Sequence, residues 1–170
     1  MPRLLRVLAA FWLLTTLWPT AVAAEVRGKT QTTRPDVELV VTVAATGLGG
    51  QFATVSDRDE QIRLLRAFVA SSRFFPENNG YFFVYDTKGV CVAHGSNPAL
   101  VGRSLMDYRD GNGFPVIRAI VELGMAGGGF LEYQWEKPDA AGPHEKLGYV
   151  MPIPGTDFII GSGLYLVEIK

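Results

Sequence analysis

The sequence predicts an α+β domain: a five-stranded, mainly antiparallel sheet covered on one face by an N-terminal helix. Three observations predict it. Apolar residues recur at helical spacing between positions 37 and 69. Aromatic-rich segments at 80–86, 130–135 and 146–151 alternate with the two-residue period of strands. Clusters of Gly, Pro, Asp and Asn separate these segments.

The elements follow in order. Val37, Val40, Val41 and Ala44 share one helical face, so a helix is predicted over 36–52, with a break near Gly47–Gly50. Ser56 is the expected cap of a second helix. Asp57, Asp59 and Glu60 favour its dipole, and Ile62, Leu65, Phe68 and Val69 form its apolar stripe. Phe74-Phe75-Pro76 ends it. Strands at 81–85 and 90–93 flank the turn Asp86-Thr87-Lys88-Gly89, where Gly supplies positive φ. Residues 97–108 read as a loop and 110–113 as a second turn. Pro115 is the expected first residue of a helix to about Met125, with Val116, Ile117, Ile120 and Val121 buried. Gly127–Gly129 stops it. Strands at 130–135, 146–151 and 158–162 complete the sheet.

Residues 1–24 have the form of a secretory signal. Arg3 and Arg6 precede the apolar run Val7–Leu14, and Ala21-Val22-Ala23 is a small-residue cleavage site, with cleavage expected after Ala23 or Ala24. The run is shorter than the ~20 residues of a membrane-spanning helix. The expected location is periplasmic or secreted. The expected organisation is a signal peptide at 1–24, a helical segment at 25–54 and a single domain at 55–170. The net charge is −1 and no basic patch stands out, which argues against nucleic acid as a partner. The single Cys91 has no internal disulfide partner and reads as a small buried residue.

Candidate binding residues lie on the strands. Tyr81, Phe83 and Tyr85 share one face of the first strand, and Phe82 and Val84 share the other. The Tyr-bearing face is placed toward a pocket, because two phenols behind a packed helix would need buried partners. Core packing with hydroxyls reaching the rim is the equal alternative. Tyr133 and Trp135 are candidate walls. Lys146 is a point charge suited to a carboxylate, although a solvated strand-end lysine is the commoner role. Tyr149 falls on the face opposite Lys146, so both line a pocket only if Lys146 sits at the strand edge or a bulge intervenes. His94 is either a donor at the pocket mouth or a structural bond to the loop that follows. Arg103 and Tyr108 lie in that loop, where either could close over a ligand; Arg103 could equally be a surface residue. His144 is expected to be exposed in a turn.

Alternation puts Cys91 and His94 on opposite faces, and the second Cys of a haem-attachment motif is missing, so no metal or other cofactor is expected. The Gly-rich stretches 47–50 and 127–129 lack the Lys-Ser/Thr of a phosphate loop. No nucleophile–base pattern appears, and no enzymatic activity is expected.

The segment Gly80–Gly89 with His94 resembles the opening hairpin of single-Cache domains. Gly128–Pro138 is similar to a later strand of that family. Lys146–Val150 followed by Pro154–Tyr165 resembles its closing strands. The resemblance covers roughly residues 55–168, in order. It implies a PAS-like sheet with an N-terminal helix packed behind it. It also implies an extracytoplasmic sensor module of the kind found in bacterial chemoreceptors and sensor kinases, many of which bind small organic acids. No second membrane helix and no output domain follow in this sequence, so a stand-alone exported protein is expected. On these grounds the chain is expected to bind a small molecule, a carboxylate being favoured, and to pass that information to a membrane receptor or kinase. The alternative is a ligand-free PAS-like dimerisation or docking domain, with the apolar helix at Val37–Phe52 as its contact surface and a homodimer as one outcome.

Overall fold

In the computed structural model, which describes residues 32–138 and 140–166, helix α1 (Arg34–Phe52) runs unbroken through Gly47, Gly49 and Gly50. The secretory signal expected at 1–24 lies outside the described residues. The break expected at the glycines does not occur, because tertiary packing overrides propensity here. Gly49 lies directly on Pro154, and a Cβ at that position would come within 2.8 Å of the proline ring. Gly47 and Gly50 face open space. At its start, the Asp36 carboxylate accepts the Thr33 backbone N–H at 2.8 Å.

Helix α2 (Arg58–Ser71) is capped by Asp57 rather than by Ser56. The Asp57 carboxylate accepts the Glu60 N–H at 2.8 Å, so the helix starts one residue later than the hydroxyl suggested. Leu65 and Val69 are its fully buried positions. The strands are β1 (Phe83–Asp86), β2 (Cys91–His94), β3 (Gly129–Glu136), β4 (Pro143–Pro152) and β5 (Phe158–Tyr165). They form an antiparallel sheet in the order β2-β1-β5-β4-β3. Helix α3 (Val116–Met125) carries the chain from the β2 edge to the β3 edge. It begins just after Pro115, which stands at the N-cap.

Two apolar layers enclose the sheet. On one face α1 and α2 pack on Phe82, Val84, Val92, Ala93, Phe158 and Ile160. On the other, Val116, Ile117, Ile120 and Val121 of α3 pack with Tyr81, Phe83, Tyr85, Tyr133 and Trp135. The period-two split of the first aromatic segment is therefore complete: phenols toward α3, Phe82 and Val84 toward α1 and α2.

Strand β2 breaks strict alternation. Val84 pairs with Ala93, but Tyr85 pairs with Cys91, leaving Val92 as the extra residue of a bulge. As a result Cys91 and His94 both lie on the α3 side, not on opposite faces as alternation predicts. Burial pushes the Cys91 thiol up to about 12, which keeps it protonated.

Both sheet edges are covered. The loop after β2 returns to pair with it, through Cys91 N–H to Arg103 O at 2.9 Å and Gly102 N–H to Cys91 O at 2.7 Å. At the other edge the buried Asp110 carboxylate accepts the N–H of Gln134 at 2.9 Å, and those of Asn112 and Phe114. Burial alone would raise that carboxyl, and the three backbone donors outweigh it and hold it below its ordinary range.

His94 ties β2 to the loop. Its Nδ1 accepts the Asn97 N–H at 3.0 Å, which leaves the ring proton on Nε2. Burial, then the charges of Lys146 and Arg73, lower its pKa to about 3. The unfolded chain binds a proton near pH 6.5 that the folded chain refuses.

Two measurements check this packing. Gly49→Ala should destabilise the fold by ~1–3 kcal/mol in urea unfolding, whereas Gly47→Ala should be neutral or stabilising by up to ~1 kcal/mol. As pH falls from about 6.5 toward 4, His94 should cost about 1.4 kcal/mol of stability per pH unit. His94→Asn keeps an acceptor for Asn97 and should flatten that part of the stability–pH curve. An unchanged slope would assign the acid sensitivity to other groups.

Candidate functional site

Three glycines on the two central strands make room for large side chains above them. A Cβ at Gly148 would meet the Tyr133 ring at 2.9 Å, one at Gly161 would meet Phe83 at 2.5 Å, and one at Gly163 would meet the Lys146 stem at 2.8 Å. Glycine within a strand often marks such a close approach. Over this floor, Lys146 on β4 lies between Tyr133 on β3 and Tyr165 on β5, its cross-strand partners.

Lys146 is 1% exposed. Its Nζ donates to the Tyr81 hydroxyl at 2.8 Å and sits 4.1 Å from the centroid of that ring. The rings of Tyr165 and Phe83 lie at 4.9 and 5.6 Å, so the cation is lined by aromatic rings. No carboxylate pairs with it among the described residues. Burial pulls the ammonium below its ordinary lysine value, and the Tyr81 oxygen offsets part of that.

The phenols form a ladder with one direction. Tyr165 donates to the Glu136 carbonyl at 2.6 Å. A carbonyl can only accept, so Tyr165 must be the donor there. Tyr81 then donates to Tyr165, 2.9 Å away, and turns its free lone pair to Lys146. Among the described residues Tyr81 is the one hydrogen-bond acceptor of Lys146 Nζ, and aromatic rings surround the rest of the ammonium. Such a group can take an anion's two oxygens.

A void of about 10 Å³ lies among Phe83, Tyr85, His94, Tyr133, Trp135 and the α3 isoleucines, room for about one water. Beside it a cleft of about 450 Å³ opens between the β2–α3 loop and the end of β3. Trp135 borders both spaces and is the partition between them. Tyr108 stands edge-on to it at 5.3 Å.

The structure brings together Tyr81, Phe83, Tyr85, His94, Tyr133, Trp135 and Lys146 on the α3 face, with Tyr108 at the cleft. Two of the candidates are elsewhere. Tyr149 faces α1 and packs on Phe130 at 4.6 Å, because β4 runs in regular register and its odd positions face the helices. The side chain of Arg103 is exposed; the residue's contribution is its backbone carbonyl at the sheet edge. His144 is not in an exposed turn; it lies half-buried on β4, opposite Trp135. Sequence reading missed Tyr165, the ladder's middle rung. The run Gly161-Ser162-Gly163 was its available signal, since small residues in a strand mark space for neighbours. Lys146 is not at a strand end; it is held mid-sheet by pairing on both sides.

A larger apolar groove of about 620 Å³ lies on the opposite face, between α1, α2 and Phe74, with Arg73 as its charged residue. Leu39 and Val43 of α1 are 62% and 64% exposed beside it.

Comparison with known proteins agrees with this architecture. Residues 50–170 match the family described as single Cache domain 2. The sequence is 28% identical over 145 residues to the methyl-accepting chemotaxis protein McpP of Pseudomonas putida, and 33% identical over 91 residues to the sensor histidine kinase MctS of Rhizobium johnstonii. These matches cover 85% and 54% of this chain but only 26% and 20% of the relatives. Among solved structures, a methyl-accepting chemotaxis protein of Vibrio parahaemolyticus superposes with a TM-score of 0.71 at 28% identity, covering 80% of this chain and 90% of that one. A Cache chemosensory domain studied for carboxylic acid recognition superposes with a TM-score of 0.68 at 29% identity, covering 80% of this chain and all of that one. A periplasmic sensor domain of a chemotaxis protein is similarly close, at 0.69 and 32% identity, covering 78% of this chain and 94% of that one. With an antiparallel sheet between helical layers, an aromatic cluster on one face and a match over residues 50–170, the chain belongs to the single Cache domain 2 family.

Proposed function

We propose that this chain senses a small monocarboxylic acid in the extracytoplasmic space, without catalysis, by placing the acid's carboxylate on Lys146. One observation carries the reading: a lysine 1% exposed, with phenols and rings around it and no carboxylate partner among the described residues. A buried charge without a counter-ion is unfavourable by several kcal/mol, and a ligand anion removes that penalty. One buried positive charge balances one negative charge, so a dianion would bring a second, unpaired charge into the site. The apolar walls Phe83, Ile117 and Ile120 suit a short alkyl remainder. The leader at 1–24 would carry the chain across the membrane, and a receptor or kinase would read the result.

The small inner void means that the acid must move Trp135 to enter. Beyond residue 24, Trp135 is the only tryptophan, so its emission reports the site directly. Protein lacking residues 1–24 should show a Trp135 emission change with acetate or propionate and little with succinate or sulfate. At a hundred times Kd the acid should add about 2.7 kcal/mol of stability. Lys146→Met should weaken binding by roughly a hundredfold or more, while making the empty protein about 1–4 kcal/mol more stable. Monocarboxylates that leave both emission and thermal unfolding unchanged would refute the reading.

A second reading, compatible with the first, is favoured by the exposed Leu39 and Val43: α1 docks a second copy of the chain. Leu39→Glu should then convert a dimer to a monomer in sedimentation. A wild type that is monomeric at high concentration would exclude it.

A further inference from the structure

We propose that the acid enters this site together with a proton: as the carboxylate settles on Lys146, the empty site's amine takes up one proton from solvent. This rests on the carboxylate reading and adds the ionic state in which the site waits.

The geometry has two parts. First, the side chains that face Lys146 are phenols, an imidazole and apolar rings, with no carboxylate among the described residues. Tyr81 comes from the segment before β1, Phe83 from β1, Tyr133 from β3 and Tyr165 from β5, with His94 of β2 against Tyr81; Ile117 and Ile120 of α3 line the small void beside these rings. His94 stays neutral because its Nδ1 accepts the Asn97 amide within a buried setting. The charged groups stand further out. Arg73 reaches Gly95 O, Lys137 lies over the outer part of Tyr165, and the exposed Glu136 gives the ladder its backbone carbonyl. A lone ammonium in this enclosure loses its hydration without gaining a counter-ion, so the neutral amine competes at lower pH than on a surface lysine. With a carboxylate in place the ammonium gains that counter-ion and the charged form is restored.

Second, a ligand carboxylate beside Tyr81 disfavours that phenol as the source of the proton. Its O–H is committed to Tyr165, whose own O–H is committed to the Glu136 carbonyl. Burial raises the pKa of the Tyr81 phenol, but the Lys146 charge and hydrogen bond outweigh it and lower it, so phenol and amine compete for one proton; a Tyr81 phenolate would repel the incoming carboxylate. The proton must therefore come from water and be visible as net uptake. No covalent bond changes: carboxylate, proton and amine become a carboxylate–ammonium pair. Burial lowers the affinity of Lys146 for its proton, in the direction this requires.

The sign follows. Below the empty site's pKa, Lys146 is already charged and binding is pH-independent. Between that value and the higher one of the filled site, one proton accompanies each ligand, and affinity falls about tenfold per pH unit. A surface lysine would show this only near its ordinary ~10.4.

Propionate binding to the chain lacking residues 1–24, measured by calorimetry in buffers of low and high ionisation enthalpy, tests it. Uptake near zero at pH 7 and at least half a proton at pH 9 is expected, with affinity about tenfold lower at pH 10 than at pH 7. Tyr81→Phe removes an acceptor that favours the ammonium and should move the onset to lower pH. Lys146→Arg, which stays charged, should bind without uptake; if it fails to fold, the wild-type profile decides alone. Propionate bound with less than half a proton taken up at pH 9 overturns the inference and leaves the site reading standing. Propionate that binds wild type at no pH removes the site reading and this inference with it.

Discussion

A fully buried lysine with no carboxylate partner among the described residues is the constraint on which the rest of this molecule turns. Lys146 lies mid-sheet on β4, flanked by Tyr133 and Tyr165, and its strongest contact is the Tyr81 hydroxyl. A chain optimised for stability alone would hold methionine or leucine there, because breaking even on a buried charge requires a full set of partners. The surrounding layer instead spends its polar groups on one another. The ladder from Tyr81 through Tyr165 to the Glu136 carbonyl satisfies both phenols and leaves the cation underserved. On the proposed reading, a ligand's carboxylate supplies the negative charge that the described residues do not give Lys146.

The scaffold explains how a 1% exposed cation can be held so firmly. Glycines at 148, 161 and 163 remove the side chains that would collide with Tyr133, Phe83 and the Lys146 stem. The β2 bulge turns His94 toward the same face, and its Nδ1 then fastens the loop that forms one wall of the cleft. Trp135 stands between the cleft and the small void beside His94 and Tyr133. The other face of the sheet is given to stability, with α1 lying so close that Gly49 touches Pro154. The core under α1 and α2 and the aromatic cluster around Lys146 thus occupy opposite sides of one sheet.

Much of the fold was legible because periodicity is a local property. The α3 stripe of Val116, Ile117, Ile120 and Val121 reads directly from the sequence, and so does the split of Tyr81, Phe83 and Tyr85 from Phe82 and Val84. What was not legible depends on partners far along the chain. The α1 glycines read as a break because the sequence does not show Pro154 waiting for Gly49. The bulge at Val92 has no composition signal, so alternation separated Cys91 from His94 wrongly. Lys146 reads as a strand-end lysine until its pairing on both sides is known, and Tyr149 then falls to the helical face by the same register. Tyr165 was passed over because its role comes from a hydroxyl contact with Tyr81, 84 residues away.

A crystal structure of the chain lacking residues 1–24, grown with saturating propionate, tests the central claim most directly. The claim predicts the acid's carboxylate within hydrogen-bonding distance of Lys146 Nζ, with the Trp135 ring displaced from its present position between cleft and void. Propionate bound only in the outer cleft, with Trp135 unmoved and Lys146 still bonded to Tyr81 alone, would contradict it.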